Sequence, residues 1–191
     1  LDAPAGRNLF GFGISSAATG DVNGDNIPDF AVQGLAPDFS RTEVAVFFGC
    51  NQCAAAEIAA PDALIVTSAL TQIIMGAGEF SRPAGDQVAY SDIVLGGNLV
   101  SGRAYAVAGR NDWPDWGAGE TLDISEELPA GDRVTAIVVP EGRAAVYGTG
   151  AGDLNGDGFS EFVFSAGVAI NVVYVFNGGA DLGDVINYAG A

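Results

Sequence analysis

Histidine and lysine are absent from this 191-residue chain, cysteine occurs twice and methionine once. Without histidine, neither a Ser-His-Asp nor a Cys-His nucleophile system can be assembled from this chain, and imidazole-based metal centres are excluded. Without lysine there is no ammonium for a phosphate loop and no amine for a Schiff base, and no G-x-S-x-G elbow is present. Long apolar runs are missing too. None approaches the ~20 residues of a membrane helix, and nothing at Leu1 reads as a signal peptide, so the chain is expected to be soluble, with any targeting segment removed or outside it. Positive charge is scarce: 7 basic residues, all arginine, stand against 24 acidic ones, for a net charge of −17. Phosphate backbones and anionic membrane surfaces would be repelled, which argues against nucleic acid and membrane insertion.

Glycine, by contrast, is plentiful. With 8 proline residues, the 28 glycines fall between short runs of Val, Ile, Phe and Tyr, the pattern of closely spaced strands and turns. Hydrophobic residues make up 49% of the chain, enough for a core at this length. The expected class is all-β. Paired carboxylates are the one remaining catalytic route, through Glu126 with Glu127 or Asp112 with Asp115, because glycoside cleavage needs two carboxyls at a suitable separation. Nothing in the sequence brings either pair into a cleft, and a non-catalytic protein is expected.

Two stretches, DVNGDNIPD at Asp21–Asp29 and DLNGDGFSE at Asp153–Glu161, place oxygen-bearing side chains at alternate positions around an Asn-Gly-Asp centre. Calcium takes roughly 6–8 oxygens in flexible geometry, and alternate positions of a tight loop can supply them. In the first loop the donors would be Asp21, Asn23, Asp25, the carbonyl of Ile27, and Asp29. In the second they would be Asp153, Asn155, Asp157, the carbonyl of Phe159, and Glu161. Plain Asn-Gly and Asp-Gly hairpin turns are the alternative, but a turn does not require five converging oxygens. Two bound Ca²⁺ would reduce the net charge from −17 to −13.

The surroundings of these loops repeat as strand, loop, strand, strand. Phe30–Gly34 and Glu43–Gly49 follow the first loop; Phe162–Ala166 and Asn171–Phe176 follow the second. A weaker copy lies between them, with Gly76–Gly78, Asp92–Gly97 and Gly102–Gly109. Gly20, Gly78 and Gly152 mark equivalent points, 58 and 74 residues apart, the signature of an array of supersecondary units. In the middle copy the loop is five residues longer and carries Arg82, so Glu79, Asp86 and Asp92 form a weaker candidate for a third calcium site than for a structural loop.

The order FG, small-residue strand, GDVNGD, short apolar strand ending in Gly, then VAVFFG resembles the FG-GAP repeat of integrin α-subunits and many secreted microbial proteins. The resemblance covers nearly the whole chain. It implies a single propeller segment over 1–191, with four-stranded antiparallel blades at about 10–67, 68–138 and 139–189. It also implies calcium in the loops, an extracellular, secreted or cell-surface setting, and protein ligands on the face opposite the loops.

Propellers close with about 4–8 blades, and a repeat unit needs neighbours to bury both faces. Three blades would leave the leading face of the first and the trailing face of the third exposed and apolar, so self-association or completion by another chain is expected. The segment Asp184–Tyr188 is a candidate fourth strand for the third blade. Cys50 and Cys53 (C-N-Q-C) read as a local disulfide, which favours an oxidising compartment. Trp113 and Trp116, in the polar stretch RNDWPDWGAGE, either pack over a sheet edge or offer flat faces to a protein or carbohydrate ligand. The function expected is calcium-dependent adhesion or ligand recognition. A self-assembling subunit of a surface layer or filament is the second reading, and an accessory domain of a secreted carbohydrate-active enzyme the third.

Overall fold

A computed structural model describes residue 3 and residues 6–52, 60–68, 73–83, 85–96, 103–124, 134–138, 145–166, 172–180, 182–183 and 185–187. The described chain is all-β. Its strands are β1 (Phe10–Gly20), β2 (Asp29–Leu35), β3 (Thr42–Phe47), β4 (Ala63–Thr67), β5 (Ile73–Gly78), β6 (Ser81–Arg82), β7 (Asp92–Gly96), β8 (Arg103–Val107), β9 (Leu122–Asp123), β10 (Val134–Val138), β11 (Ala145–Gly152), β12 (Glu161–Ala166), β13 (Val172–Phe176), β14 (Gly179–Ala180) and β15 (Val185–Asn187). A single 3-10 turn, Trp116–Ala118, lies before β9.

Three sheets carry the repeat. The first is ordered β1-β2-β3-β4-β9, the second β15-β10-β8-β7-β5 and the third β11-β12-β13. Within each, consecutive strands pair antiparallel, while β9 joins β4 and β15 joins β10 in parallel. A short parallel pair, β6 with β14, links the second repeat to the third. The sheets form no closed ring or barrel among the described residues. The expected strands after each loop are therefore present, but Val185–Asn187 is not a fourth strand of the third sheet. It adds to the outer edge of the second, where β10 presents unpaired backbone groups that a following strand can satisfy.

Alternation along the strands explains the stacking. In β7 the side chains of Ile93 and Leu95 enter one core, with Val44, Val46, Ala63 and Ile65 of the first sheet. Val94, between them, enters the other core, with Phe162, Phe164, Tyr174 and Phe176 of the third. A strand buried on both faces reads as an uninterrupted apolar run, which is what DIVLG is. Rings from β12 and β13 interlock edge-to-face in this second core, Phe162 to Phe164 at 4.2 Å and Phe164 to Phe176 at 6.1 Å between centroids.

The two outer faces of the stack differ from one another, contrary to the expectation that both are exposed. On the first sheet, Val32, Ala45, Phe47, Leu64 and Val66 are buried beneath Phe12, Phe30 and Trp116. The chain covers this face itself: β9 pairs with β4, which holds the Trp116 turn over the sheet, and the Trp116 peptide N–H bonds the Asp62 carbonyl at 3.1 Å. What stays exposed at that end lies in the first half of β1 and in the turn between β2 and β3, at Phe10, Ile14 and Phe39. The third sheet has no such cover among the described residues, and Tyr147, Val173 and Val175 stand exposed on it.

Candidate metal centre

The two acidic loops share the same pattern of peptide N–H bonds to their side chains. Oδ1 of Asp21 accepts from the peptide N–H groups of Gly24 (2.6 Å) and Asp25 (3.1 Å), and Oδ2 from Asn26 (2.8 Å). Oδ1 of Asp153 accepts from Gly156 (2.7 Å) and Asp157 (3.2 Å), and Oδ2 from Gly158 (2.9 Å). Asn23 and Asn155 each accept from the N–H two residues on, at 3.0 and 2.8 Å. Asp25 and Asp157 do the same for Ile27 and Phe159, at 2.8 and 2.9 Å. Gly24 and Gly156 adopt φ of 84° and 81°, a left-handed turn that L side chains disfavour. Asn26 takes the second left-handed position in the first loop, where the other loop has Gly158.

The acid that opens the second strand of each repeat braces the loop before it. Asp29 is buried, and its two oxygens brace the loop to the sheet by accepting from Val22 and Gly49, each at 2.7 Å. Burial raises its pKa, the backbone bonds oppose this, and the neighbouring charges of Asp25 and Asp21 add to the rise. Glu161 likewise accepts from Leu154 N–H at 2.6 Å, but its longer side chain turns the other oxygen inward to Nδ2 of Asn155 at 3.2 Å. The Asp153 carboxyl is held below the ordinary range, chiefly by the Gly158 N–H.

In the middle repeat, Asp92 repeats the brace. Its carboxylate accepts from the N–H groups of Phe80 (3.0 Å), Ser81 (2.5 Å) and Gly109 (2.8 Å) and from the Ser81 hydroxyl (3.1 Å). Desolvation nevertheless pushes its pKa up to about 7. Glu79 forms an ion pair with Arg82, whose guanidinium also lies 5.2 Å above the Phe159 ring of the third repeat. Asp86 sits in a turn closed by its own N–H on the Pro83 carbonyl. Glu79 and Asp92 are thus engaged with different partners.

Among the described residues, no three His, Cys, Asp or Glu side chains form a metal-holding group by themselves. The candidate shells of the first and third repeats draw on Asn23, Asn155 and two carbonyl oxygens as well as carboxylates. That donor set is all oxygen, which suits a hard cation. Oδ1 of Asp21 and of Asp153 already accepts two N–H groups, whereas Oδ2 of each accepts one and keeps a second lone pair.

Elsewhere, Trp113 is half-buried, gives its indole N–H to the Val22 carbonyl at 3.0 Å, and lies under the Arg110 guanidinium at 5.5 Å. Trp116 is half-buried under Arg7 at 5.2 Å. Both rings are thus packed, with only part of their surface left to solvent. Cys50 is disulfide-bonded; Cys53, the only other cysteine of the sequence, lies outside the described residues, as do Glu126, Glu127, Asp184 and Tyr188. Asp112 and Asp115 are exposed, and Asp115 caps the 3-10 turn through Gly117 N–H at 2.7 Å. One buried acid had no signal in the sequence: Glu43 accepts from Arg7 (3.0 Å) and Arg41 (2.8 Å) on one oxygen, and its other oxygen has no hydrogen-bond partner among the described residues. A separation of 36 residues hides the Arg7 contact from local pattern reading.

No protein-family model matches the chain, and no curated protein does. Among the described residues no helix is long and apolar enough to cross a membrane.

Proposed function

We propose that this chain is a calcium-stabilised segment of an FG-GAP-like β-propeller, acting outside the cell as a non-catalytic module for adhesion or ligand recognition. The single observation that carries the reading is the shared pattern of peptide N–H bonds in two loops whose first residues lie 132 positions apart, Asp21 and Asp153. Two unrelated hairpin turns have no reason to share four oxygen-bearing side chains and the peptide N–H bonds that these accept within the loop. Three sheets stacked through β1, β5 and β11, each led by an acid braced to its loop, support the blade reading. The Cys50 disulfide supports an oxidising setting.

In this reading calcium supplies positive charge to a short loop that carries three carboxylates, and Asp21, Asn23, Asp25 and Asp29, with their third-repeat counterparts, hold it. The ligand is a protein or a carbohydrate, bound on the face opposite the metal loops. Isothermal titration is expected to find two calcium ions per chain, and Asp25→Ala and Asp157→Ala each to remove one. Glu79→Gln should leave the stoichiometry unchanged. A titration with no calcium binding, or one in which neither alanine variant loses a site, would overturn the proposal.

A further inference from the structure

The first two repeats make the same contact with their successors, and the third makes none among the described residues. In the first repeat, the carbonyls of Asp21 and Val22 accept from Ser91 N–H (2.8 Å) and Arg110 N–H (2.9 Å) of the second. In the second, the carbonyls of Glu79 and Phe80 accept from Ser160 N–H (2.7 Å) and Gly179 N–H (2.9 Å) of the third. Ser91 and Ser160 occupy one repeat position, directly before the acid that opens the second strand. The equivalent carbonyls at the end of the stack belong to Asp153 and Leu154, and no such donor reaches them among the described residues. Burial follows the same series. Val22 and Phe80 are 0% exposed, whereas Leu154 is 64% exposed. A side chain added at Gly20 would strike Ser91, and one at Gly78 would meet Ser160 Oγ at 2.5 Å, but at Gly152 it would meet nothing within 4 Å.

We propose that the outer face of the third sheet, from Asp153 and Leu154 across Tyr147, Val173 and Val175, docks a further sheet of this repeat plan presenting a free peptide N–H before its second-strand acid. A second copy of this chain does not supply that sheet. Its first repeat carries Pro28 at the position of Ser91 and Ser160, and proline has no N–H to give. Its first-sheet face is moreover already covered by Phe12, Phe30 and Trp116. Third sheet against third sheet fares no better, since it would set acceptor against acceptor and one acidic loop near another. Among the described residues the stack is therefore directional, closed by its own chain at the first sheet and open at the third. The inference rests on the blade reading above but not on calcium.

The test lengthens the native chain after residue 191 with a second copy of residues 68–191, and compares it with the same extension carrying Ser91→Pro in the added copy. Hydrogen exchange of the added Ser91 and Arg110 amides should match the originals, and Ser91→Pro should speed exchange at the added Arg110 by about tenfold or more. Val173→Glu should leave the melting temperature of the native chain unchanged and lower that of the extended one. Added amides that exchange freely would overturn the proposal, as would added repeats that stay unfolded, because they would follow the same kind of inner-strand edge that Gly20 to Val22 offers the native second repeat. The native chain should sediment as a monomer; a dimer or polymer dissolved by Val173→Glu would make a second copy the occupant and overturn it too. Calorimetry separates the two proposals: no calcium binding beside a protected extension sinks the metal reading alone, and two bound calcium ions beside an unprotected extension sink this one alone.

Discussion

At Asp92 four donors surround one carboxylate, yet burial outweighs them and its pKa lies at about 7 against an ordinary 3.8. The folded state therefore holds this proton more tightly than the unfolded state. The stability it contributes is complete below about pH 3.8 and is lost as the pH rises toward about 7. Urea unfolding at several pH values should show that slope in the native chain and a flatter one in Asp92→Asn. The substitution itself should cost about 1–3 kcal/mol, because the amide nitrogen must face a peptide N–H that the carboxylate accepted. Asp153 runs the other way. Its lowered pKa means that its contribution is present above the ordinary carboxylate range and fades on acidification through the folded pKa. Residue types alone named Asp29, Asp92 and Glu161 as possible ligands. What they could not reveal is that each one's first task is to accept the N–H of Val22, Phe80 or Leu154.

Along β13 the alternation of faces sets opposite expectations for adjacent residues. Phe176 is buried against Phe164, so Phe176→Ala should destabilise the chain by about 3–5 kcal/mol. Val175 is 49% exposed on the opposite face, and Val175→Thr should change stability by less than about 0.5 kcal/mol. Equilibrium denaturation of the two variants checks both. A loss at Val175 comparable to that at Phe176 would show that its face is covered in solution. Strands such as β3, β7, β8 and β13 were legible because each is a short apolar or β-branched run bounded by turn residues, and such a run reports its own conformation. The place of β15 was not legible. Val185–Asn187 pairs with Ala136–Val138 of an earlier repeat, and nothing local distinguishes that partner from the third sheet.

Across the whole molecule, calcium acts by mass action if it binds only the folded chain. At free calcium about a hundredfold above the dissociation constant, each site adds about 2.7 kcal/mol, so two independent sites should raise the melting temperature by roughly 10 °C or more relative to EDTA. Differential scanning calorimetry in both conditions checks this, and chelation should also speed proteolysis around 21–29 and 153–161. An unchanged melting temperature would count against metal in the loops. Reducing the Cys50 disulfide should do far less, since a ring closed within so short a segment removes little unfolded-state entropy.

What the sequence by itself determined is local: a strand-rich class, the repeat phase marked by Gly20, Gly78 and Gly152, and two loops whose side chains satisfy backbone groups within five residues of themselves. Those features depend on short-range sterics and hydrogen bonding, which travel with the residues. Only the tertiary structure decided which sheet face is covered and which is open. Trp116 reaches back over the first sheet while nothing described reaches over the third, and burial of that kind is a property of distant segments meeting, which no spacing of residues along the chain records.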